Sequence, residues 1–224
     1  EELLTINKDN LSFLVIDCRY EYEYKGFLTL FCLVIIVRFL GGHIKDAINI
    51  VDPLILERLF ITNRDLLRKE SYLKSLKKDF NTVMNSFPSR EHYQNEPSLP
   101  SSPIIIFHCE YSAERGPRMH NYLRKIDREF NANRYPNLTY PEIYLLAYGY
   151  RNFSSKHQVK IIIDIKDVLL NTFKASCQPS GGYIEMKDPR FKVQYAEACH
   201  RDHQYWNKKG QFKLQPQLTS VSAN

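Results

Sequence analysis

The sequence lacks the cysteine pairs, the long apolar span and the basic stripe that define several common classes of protein. Its five cysteines form no C-x-x-C pair, and their odd number argues against a disulfide framework, so reduced thiols are expected. The most apolar stretch, residues 27–40, is interrupted by Arg38 and is shorter than the roughly 20 residues that a membrane helix needs. The net charge is +6, but no basic stripe with interleaved aromatic residues accompanies it. Neither membrane insertion nor nucleic-acid binding is therefore expected.

Two further absences bear on the kind of protein that the sequence encodes. No cluster of His, Cys and Asp has metal-ligand spacing, so no metal site is expected. No methionine opens the sequence, so we expect a fragment of a longer protein. At 224 residues and 43% hydrophobic content, the chain is long enough to bury one sizeable core.

The strongest functional signal that is present lies in residues 108–118, HCEYSAERGPR. Cys109 and the preceding His108 follow the apolar run 103–107, which predicts a strand. Arg115 comes six positions after Cys109 and two before Pro117, which can occupy the first position of a helix. A strand, a tight turn and a helix N-terminus together form an anion cradle, because backbone N–H groups converge there. That field favours a nucleophilic thiolate at Cys109, and Arg115 can grip two phosphoryl oxygens. The pattern predicts a cysteine-dependent phosphatase; the alternative is a structural cysteine after a core strand.

Alternating strand and helix patterns predict an α/β fold with a mainly parallel central sheet flanked by helices. The predicted strands are residues 11–19, 103–109 and 143–147, and the predicted helices are residues 62–80, 117–130 and 188–206. Residues 86–103, rich in Pro and Ser, predict a loop, and residues 207–224 a flexible tail. Ligands of such folds bind beyond the carboxyl ends of the strands, where Cys109 lies.

Three blocks of the sequence resemble the M-phase inducer phosphatases, rhodanese-fold enzymes that activate cyclin-dependent kinases. The blocks are residues 16–24 with 42–49, residues 107–119 and residues 135–144, supported by Asp127-Arg128 and Gly149-Tyr150. The resemblance implies a single rhodanese-like phosphatase domain over residues 1–206. It implies removal of inhibitory phosphate from Thr and Tyr of a cyclin-dependent kinase–cyclin complex, through a phosphocysteine on Cys109, which promotes cell-cycle progression. It also implies a monomer without a cofactor, located in the nucleus and cytoplasm.

The resemblance assigns the catalytic loop as well. The implied phosphate-binding residues are Glu110, Tyr111, Ser112, Ala113, Glu114 and Arg115. Glu110 and Glu114 both match positions proposed for the general acid, and the alternative for each is an ion pair that orients Arg115.

Other roles follow from the same resemblance. Cys18 matches a second cysteine that would trap an oxidised Cys109 as a reversible disulfide, and the alternative is a small core residue. The positions that match substrate docking are Arg118, Arg124, Arg128 and Tyr135. Their alternative is simple solvation on the surface of a helix.

The chain departs from the family pattern at three places. Residues 27–41 and 159–174 interrupt it, and excising either segment restores the family spacing, so our hypothesis is that both are intron-derived. If they belong to the natural protein, the first places an apolar stretch beside the active site. Tyr148 stands where the family has glycine, and a positive φ there would cost on the order of 1–3 kcal/mol.

Two rival functions use the same residues. A rhodanese-type sulfurtransferase would carry a loop one residue shorter, so the five residues between Cys109 and Arg115 favour a phosphoryl group. A non-catalytic kinase-binding module is favoured by the insertions and disfavoured by the intact Cys and Arg. The His200-Arg201-Asp202 sequence copies a kinase catalytic loop, but no other kinase motif accompanies it.

Overall fold

Eight short strands and seven helices make up most of the regular structure in the described part of this computed structural model. It describes residues 12–30, 37–40, 42–86, 102–163, 177–178 and 183–208. The predicted loop at 86–103 and the predicted tail at 207–224 lie almost entirely outside these residues. Within them, the last helix continues to Lys208 rather than ending at 206.

A four-stranded parallel sheet forms the centre of the fold. The strands of the molecule are β1 (Phe13–Asp17), β2 (Phe27–Leu30), β3 (Val37–Leu40), β4 (His43–Ile44), β5 (Ile48–Asn49), β6 (Ile104–His108), β7 (Ile143–Leu145) and β8 (Cys177–Gln178). The central sheet has the order β5-β1-β6-β7, and all of its neighbouring strands are parallel. Asp17 is paired with His108, so β1 and β6 end at the same edge.

Helices cover both faces of this sheet. They are α1 (Glu21–Lys25), α2 (Pro53–Glu57), α3 (Glu70–Lys78), α4 (Phe80–Ser86), α5 (Arg115–Phe130), α6 (Gly149–Ile163) and α7 (Lys192–Lys208). Successive residues of a strand point to opposite faces, so Leu14 and Ile16 enter the larger core with α2–α5. Val15 enters a smaller core that contains Tyr150 and Phe153 of α6. The predicted α/β class with a mainly parallel sheet is confirmed.

The predicted helix over residues 62–80 is wrong. A π-helical turn occupies Arg58–Thr62, a 3₁₀ turn occupies Leu66–Arg68, and two separate helices follow. Lys69 is extended, and Asp79 leaves the helical region at φ −152°, so neither position can continue a helix. The Asp79 carboxylate instead accepts a hydrogen bond from the N–H of Thr82 at 3.0 Å and caps the start of α4.

The remaining elements differ from expectation mainly at their ends. The predicted strands 11–19, 103–109 and 143–147 are each shorter. Tyr148, three residues after the end of β7, has φ +61°, the condition under which a cost was expected at this position. Helix α5 begins at Arg115, so Pro117 is its third residue rather than its first. The predicted helix 188–206 divides into a 3₁₀ turn at Pro189–Phe191 and α7.

The first interrupting segment, residues 27–41, contains the antiparallel pair β2–β3, with Phe27 opposite Leu40. Residues 31–36 and 41 lie outside the described part. Of the second segment, residues 159–163 extend α6, and residues 164–174 lie outside. Within the described residues, no helix is both long and apolar enough to cross a membrane. The intron origin of both segments stays a prediction.

Candidate active site

Cys109 lies immediately after β6, buried to 3% exposure, at the carboxyl edge of the sheet. Cys18 lies immediately after the neighbouring strand β1, and its backbone N–H donates to the carbonyl oxygen of His108 at 2.8 Å. Both cysteines are free thiols. The register of β1 and β6 therefore brings together the two cysteines that the sequence had singled out, although 90 residues separate them.

The loop after Cys109 is fixed from outside by the first turn of α6. The carbonyl oxygen of Cys109 accepts from the N–H of Tyr150 at 2.9 Å, and that of Glu110 accepts from the N–H of Arg151 at 3.0 Å. Because a trans peptide points its N–H opposite to its carbonyl, the next two N–H groups of the loop point away from α6. The first two carbonyls of the loop are thus turned outward, which is the arrangement that an anion cradle needs.

Two glycines let the helices approach this loop closely. Gly149 has φ +62°, and a Cβ atom there would lie 2.4 Å from the carbonyl oxygen of Glu110 and 2.6 Å from that of Cys109. At Gly116, a Cβ atom would lie 3.3 Å from the backbone nitrogen of Cys109. Any side chain at Gly149 would push α6 off the loop, because a backbone oxygen cannot give way at that distance.

Arg115 closes the loop as the first residue of α5, and its guanidinium is held by a carboxylate that the sequence did not single out. Nη1 donates to Oε2 of Glu23 at 2.5 Å, and Nη2 donates to Oε1 at 3.1 Å. The ring of Tyr20 lies under the guanidinium, 4.6 Å from its carbon atom. Burial opposes the charge on Arg115, but Glu23 outweighs that effect and raises the pKa of Arg115 above its usual value.

The two acidic residues of the loop lie in different surroundings. Glu110 is buried, and its Oε1 accepts from the hydroxyl of Tyr183 and from the N–H of Met186 at 3.3 Å. Its Oε2 lies 3.9 Å from Nη2 of Arg115. The side chain of Glu114 is 84% exposed and pairs with Arg118 at 3.4 Å. Glu110 is therefore held inside the protein, near Arg115, where it can help to orient that side chain. Glu114 lies at the solvent-exposed edge of the loop.

Three charged or polar side chains at the strand ends support the loop from below. Arg19 donates to both carboxylate oxygens of Asp17, and its guanidinium carbon lies 3.7 Å from the centre of the Tyr150 ring. Burial alone would raise the pKa of Asp17, but the charges of Arg19 and His108 outweigh it and lower that pKa to about 2. Burial lowers the pKa of His108 to about 4, so this imidazole is neutral beside Cys109 at pH 7.

The predicted docking residues differ in how far they are engaged. Arg118 pairs with Asp202 of α7 at 3.2 Å and lies 5.1 Å from the centre of the Trp206 ring. Arg124 donates to the carbonyl oxygens of Tyr140 at 2.7 Å and Pro141 at 3.0 Å. Arg128 is exposed, and Tyr135 is 75% exposed.

Sequence reasoning missed two residues of the site, Glu23 and Tyr183. Glu23 carried a weak signal, as an acidic residue inside the aromatic run YEYEY within the first block of the resemblance. Tyr183 carried none, because it reaches Glu110 from 73 positions away. No group of three or more metal-ligating side chains occurs among the residues that the structure describes.

With this geometry established, comparison with known proteins assigns the class of the chain. The rhodanese-like domain family matches residues 1–156, and the chain belongs to that family. A solved yeast protein tyrosine phosphatase of the rhodanese family aligns with a TM-score of 0.34 at 21% identity, covering 77% of this chain and 78% of that one. That superposition is loose, and no assignment rests on it.

The homologues narrow the class further, because they are named M-phase inducer phosphatases. One from Drosophila melanogaster is 39% identical over 65% of this chain and 23% of its own length. M-phase inducer phosphatase 2 of Mus musculus is 35% identical over 69% of this chain and 19% of its own. M-phase inducer phosphatase cdc-25.3 of Caenorhabditis elegans is 30% identical over 88% of this chain and 43% of its own. The chain thus spans less than half the length of these relatives.

Proposed function

We propose that this chain is a cysteine-dependent, dual-specificity protein phosphatase that removes inhibitory phosphate from Thr and Tyr of a cyclin-dependent kinase. The observation that carries the proposal is the placement of Cys109 at a strand end, six positions before an arginine that begins a helix. The outward-turned carbonyls of the loop and the named relatives support it.

The proposed reaction has two steps, transfer of the phosphoryl group to Cys109 and its hydrolysis by water. The thiolate of Cys109 attacks phosphorus in line, an S–P bond forms, and the P–O bond to the substrate breaks. A carboxylic acid donates its proton to the leaving oxygen, which departs as the free hydroxyl of the substrate. Water then attacks phosphorus, gives its proton to the same carboxylate, and releases inorganic phosphate and the thiolate. Arg115 and the loop N–H groups stabilise the charge on the phosphoryl oxygens in both steps.

Glu114 is the better candidate for the proton donor, since its exposed side chain stands at the rim where a leaving group departs. Glu110 is already occupied by Tyr183 and Met186, which supports an orienting role. Glu114→Gln should lower turnover of a phosphothreonine peptide about 10²-fold, yet barely affect nitrophenyl phosphate, whose leaving group needs no proton. Glu129→Gln, exposed at the far end of α5, is the matched control. An equal loss on both substrates would contradict the assignment.

Phosphate release from a doubly phosphorylated kinase peptide tests the function as a whole. Cys109→Ser should abolish release, and Cys199→Ser, a partly exposed cysteine on α7, should leave it unchanged. Kinase binding without any phosphate release would favour the non-catalytic module. Consumption of thiosulfate in the presence of cyanide would favour the sulfurtransferase.

The neighbouring cysteine supports a second part of the proposal, protection against peroxide. Burial raises the pKa of Cys18 well above its usual value, and the charges of Cys109 and Asp17 add to the effect, so Cys18 remains a thiol. Peroxide would convert the Cys109 thiolate to a sulfenic acid; the Cys18 thiol would then displace hydroxide, giving a disulfide and water. Adjacent strand ends place Cα atoms about 5 Å apart, within the range of a disulfide. Peroxide-treated chain should therefore recover with dithiothreitol, and Cys18→Ser chain should not.

Substrate docking is proposed at the two residues that remain most accessible, Arg128 and Tyr135. Arg118 and Arg124 are already engaged by Asp202 and by backbone carbonyls, so their substitution would disturb the domain itself. The location of both accessible residues towards the far end of α5 supports contact with a folded kinase rather than with the phosphorylated segment alone.

A further inference from the structure

Glu23 is a buried carboxylate that the phosphatase chemistry above does not use. It lies on the short helix α1, is 0% exposed, and contacts both terminal nitrogens of Arg115. Its Oε2 also accepts from the backbone N–H of Tyr20 at 2.9 Å. A buried carboxylate with three donors aimed at it is a fixed part of the site.

We infer that Glu23 is a positioning residue, which orients the Arg115 guanidinium so that its remaining donors face the phosphate loop. The inference rests on the proposed function in one respect, namely that Arg115 binds the phosphoryl group. It adds a residue from α1, 92 positions away in the sequence, to the machinery of that loop.

The donor arrangement of a guanidinium carries the argument. Arginine has five N–H donors in one plane, and a carboxylate that accepts from both Nη1 and Nη2 occupies the edge between them. The fork formed by Nε–H and the outer hydrogen of Nη2 remains, and Nε makes no hydrogen bond within the described part of the chain. That fork matches two oxygens of a phosphoryl group. Glu23 and a phosphate can therefore bind Arg115 at the same time.

The surroundings of the Arg115 guanidinium hold one of its faces as well as the edge that contacts Glu23. The Tyr20 ring supports one face at 4.6 Å, and the Tyr20 backbone fixes the carboxylate that holds the edge. Glu110 approaches Nη2 to 3.9 Å, beyond hydrogen-bond distance. A free arginine side chain has many rotamers, so restraint from one short segment removes most of the entropy loss on phosphate binding.

The charges are consistent with this role. Burial raises the pKa of Glu23, and the charges of Arg115 and Arg19 offset this only in part. The guanidinium would lie between the Glu23 carboxylate and a phosphate bound at the fork, so its positive charge would screen the phosphate from that negative charge. Without the carboxylate, the buried Arg115 charge would keep only Glu110, 3.9 Å from Nη2, as a nearby counter-charge, and its side chain would seek other partners.

A double-mutant cycle between Glu23 and Arg115 tests the inference, with inorganic tungstate as a phosphate mimic. The variants are Glu23→Gln, Arg115→Lys and the pair together, in the full chain. Titration calorimetry gives tungstate affinity, nitrophenyl phosphate turnover gives kcat/KM, and a thermal melt shows that each variant is folded. Glu23→Asp, which retains a carboxylate, keeps the test decisive should the glutamine variant unfold.

The expected result is a loss of about tenfold or more in tungstate affinity for Glu23→Gln, accompanied by a similar loss in kcat/KM. Glu23→Asp should retain more of both than the glutamine variant. In the Arg115→Lys background, Glu23→Gln should add less than about threefold, because the residue acts through Arg115. Equal losses in both backgrounds would assign Glu23 a merely structural role and overturn the inference, as would an unchanged tungstate affinity.

Glu21→Gln is the matched control, since Glu21 lies on the same helix but is exposed and pairs with Lys25. It should change neither affinity nor turnover. If the wild-type chain binds tungstate and Glu23→Gln weakens that binding, while no substrate releases phosphate, the proposed function fails and the role of Glu23 stands. If the wild-type chain does not bind tungstate, both fail.

Discussion

Two buried arginine–carboxylate pairs lie side by side in this molecule but have different roles. Arg19 pairs with Asp17 below the loop, and Arg115 pairs with Glu23 at its opening. Arg19 donates to Asp17 through Nε and Nη2, to the carbonyl oxygen of Gly42 at 2.8 Å and to that of Glu23 at 3.4 Å. Its donors are almost fully used, and its side chain is completely buried.

Arg115, by contrast, has only the Glu23 carboxylate as a hydrogen-bond partner among the described residues, and its side chain is 9% exposed. A structural arginine uses its donors within the fold, whereas a ligand-binding arginine is held at one edge and left open at another. Charge and burial alone do not separate the two; the count of remaining donors does.

Removing the structural carboxylate should have the largest effect. Asp17→Asn leaves Arg19 buried without its counter-charge, and we expect the free energy of unfolding to fall by about 3–5 kcal/mol. Urea unfolding at pH 7, followed by tryptophan fluorescence, measures it. A double variant, Asp17→Leu with Arg19→Met, should recover part of the loss; a loss below about 1 kcal/mol for the single variant would mean that the pair is not structural.

Shortening the ligand-binding arginine should act on activity instead. Arg115→Lys keeps a charge for Glu23 but cannot present a fork, so we expect kcat/KM for an aryl phosphate to fall about 10²–10³-fold. Arg64→Lys, at the opposite end of α5 beside the Phe130 ring, is the control and should leave turnover unchanged. A fall in melting temperature without a fall in kcat/KM would reverse the roles given to the two arginines.

Stability should decline as the pH falls, because both titrating groups at the strand ends have lowered pKa values in the folded state. For His108, the folded value is about 4 and the ordinary value 6.5, so its contribution is complete above pH 6.5 and is lost as the pH falls towards 4. The expected loss over that window is roughly 3 kcal/mol. Asp17 extends the decline between pH 3.8 and about 2.

Urea unfolding at several pH values measures this slope. His108→Gln should flatten it between pH 6.5 and 4, while His200→Gln, an exposed histidine on α7, should leave it as it is. A wild-type chain that becomes more stable on acidification through this window would show that His108 is protonated in the fold.

The docking proposal should give the smallest effect. Arg128→Ala should lower kcat/KM for a phosphorylated kinase complex about tenfold, as expected for one significant interface residue, and leave an aryl phosphate unaffected. Lys125→Ala, also exposed on α5, is the matched control. Equal losses on both substrates would place the effect in the catalytic loop rather than at a remote contact.

The sequence was sufficient to predict the residues of the loop, but not the long-range contacts that hold the loop in place. Cys109, Arg115 and the strand before them form a local pattern, so their arrangement followed from spacing and turn chemistry alone. For Tyr148 the sequence supplied only a condition, the cost of a positive φ at a family glycine position, and the structure has φ +61° there. The break of the helix predicted over 62–80 was not, since no proline or glycine occurs between Thr62 and Phe80 to mark it.

Long-range contacts account for the rest. Glu23 and Tyr183 reach the loop from 92 and 73 positions away, and no local pattern in the sequence pairs either of them with its partner in the loop. The difference between the engaged Arg124 and the exposed Arg128 depends on the path of residues 140–141 past α5, which local propensity does not determine. The sequence shows that these residues are arginines, but it does not show which of their hydrogen-bond donors remain free after folding.

Trapping the phosphoryl enzyme is the most direct test of the central claim, that Cys109 accepts the phosphoryl group while Arg115 holds it. The chain is mixed with a phosphotyrosine peptide, quenched within milliseconds and analysed by peptide mass spectrometry. The account predicts one phosphoryl group on the peptide that contains Cys109, lost on longer incubation and absent from Cys109→Ser. Phosphate release at full rate with Cys109 unmodified at every time point would contradict it.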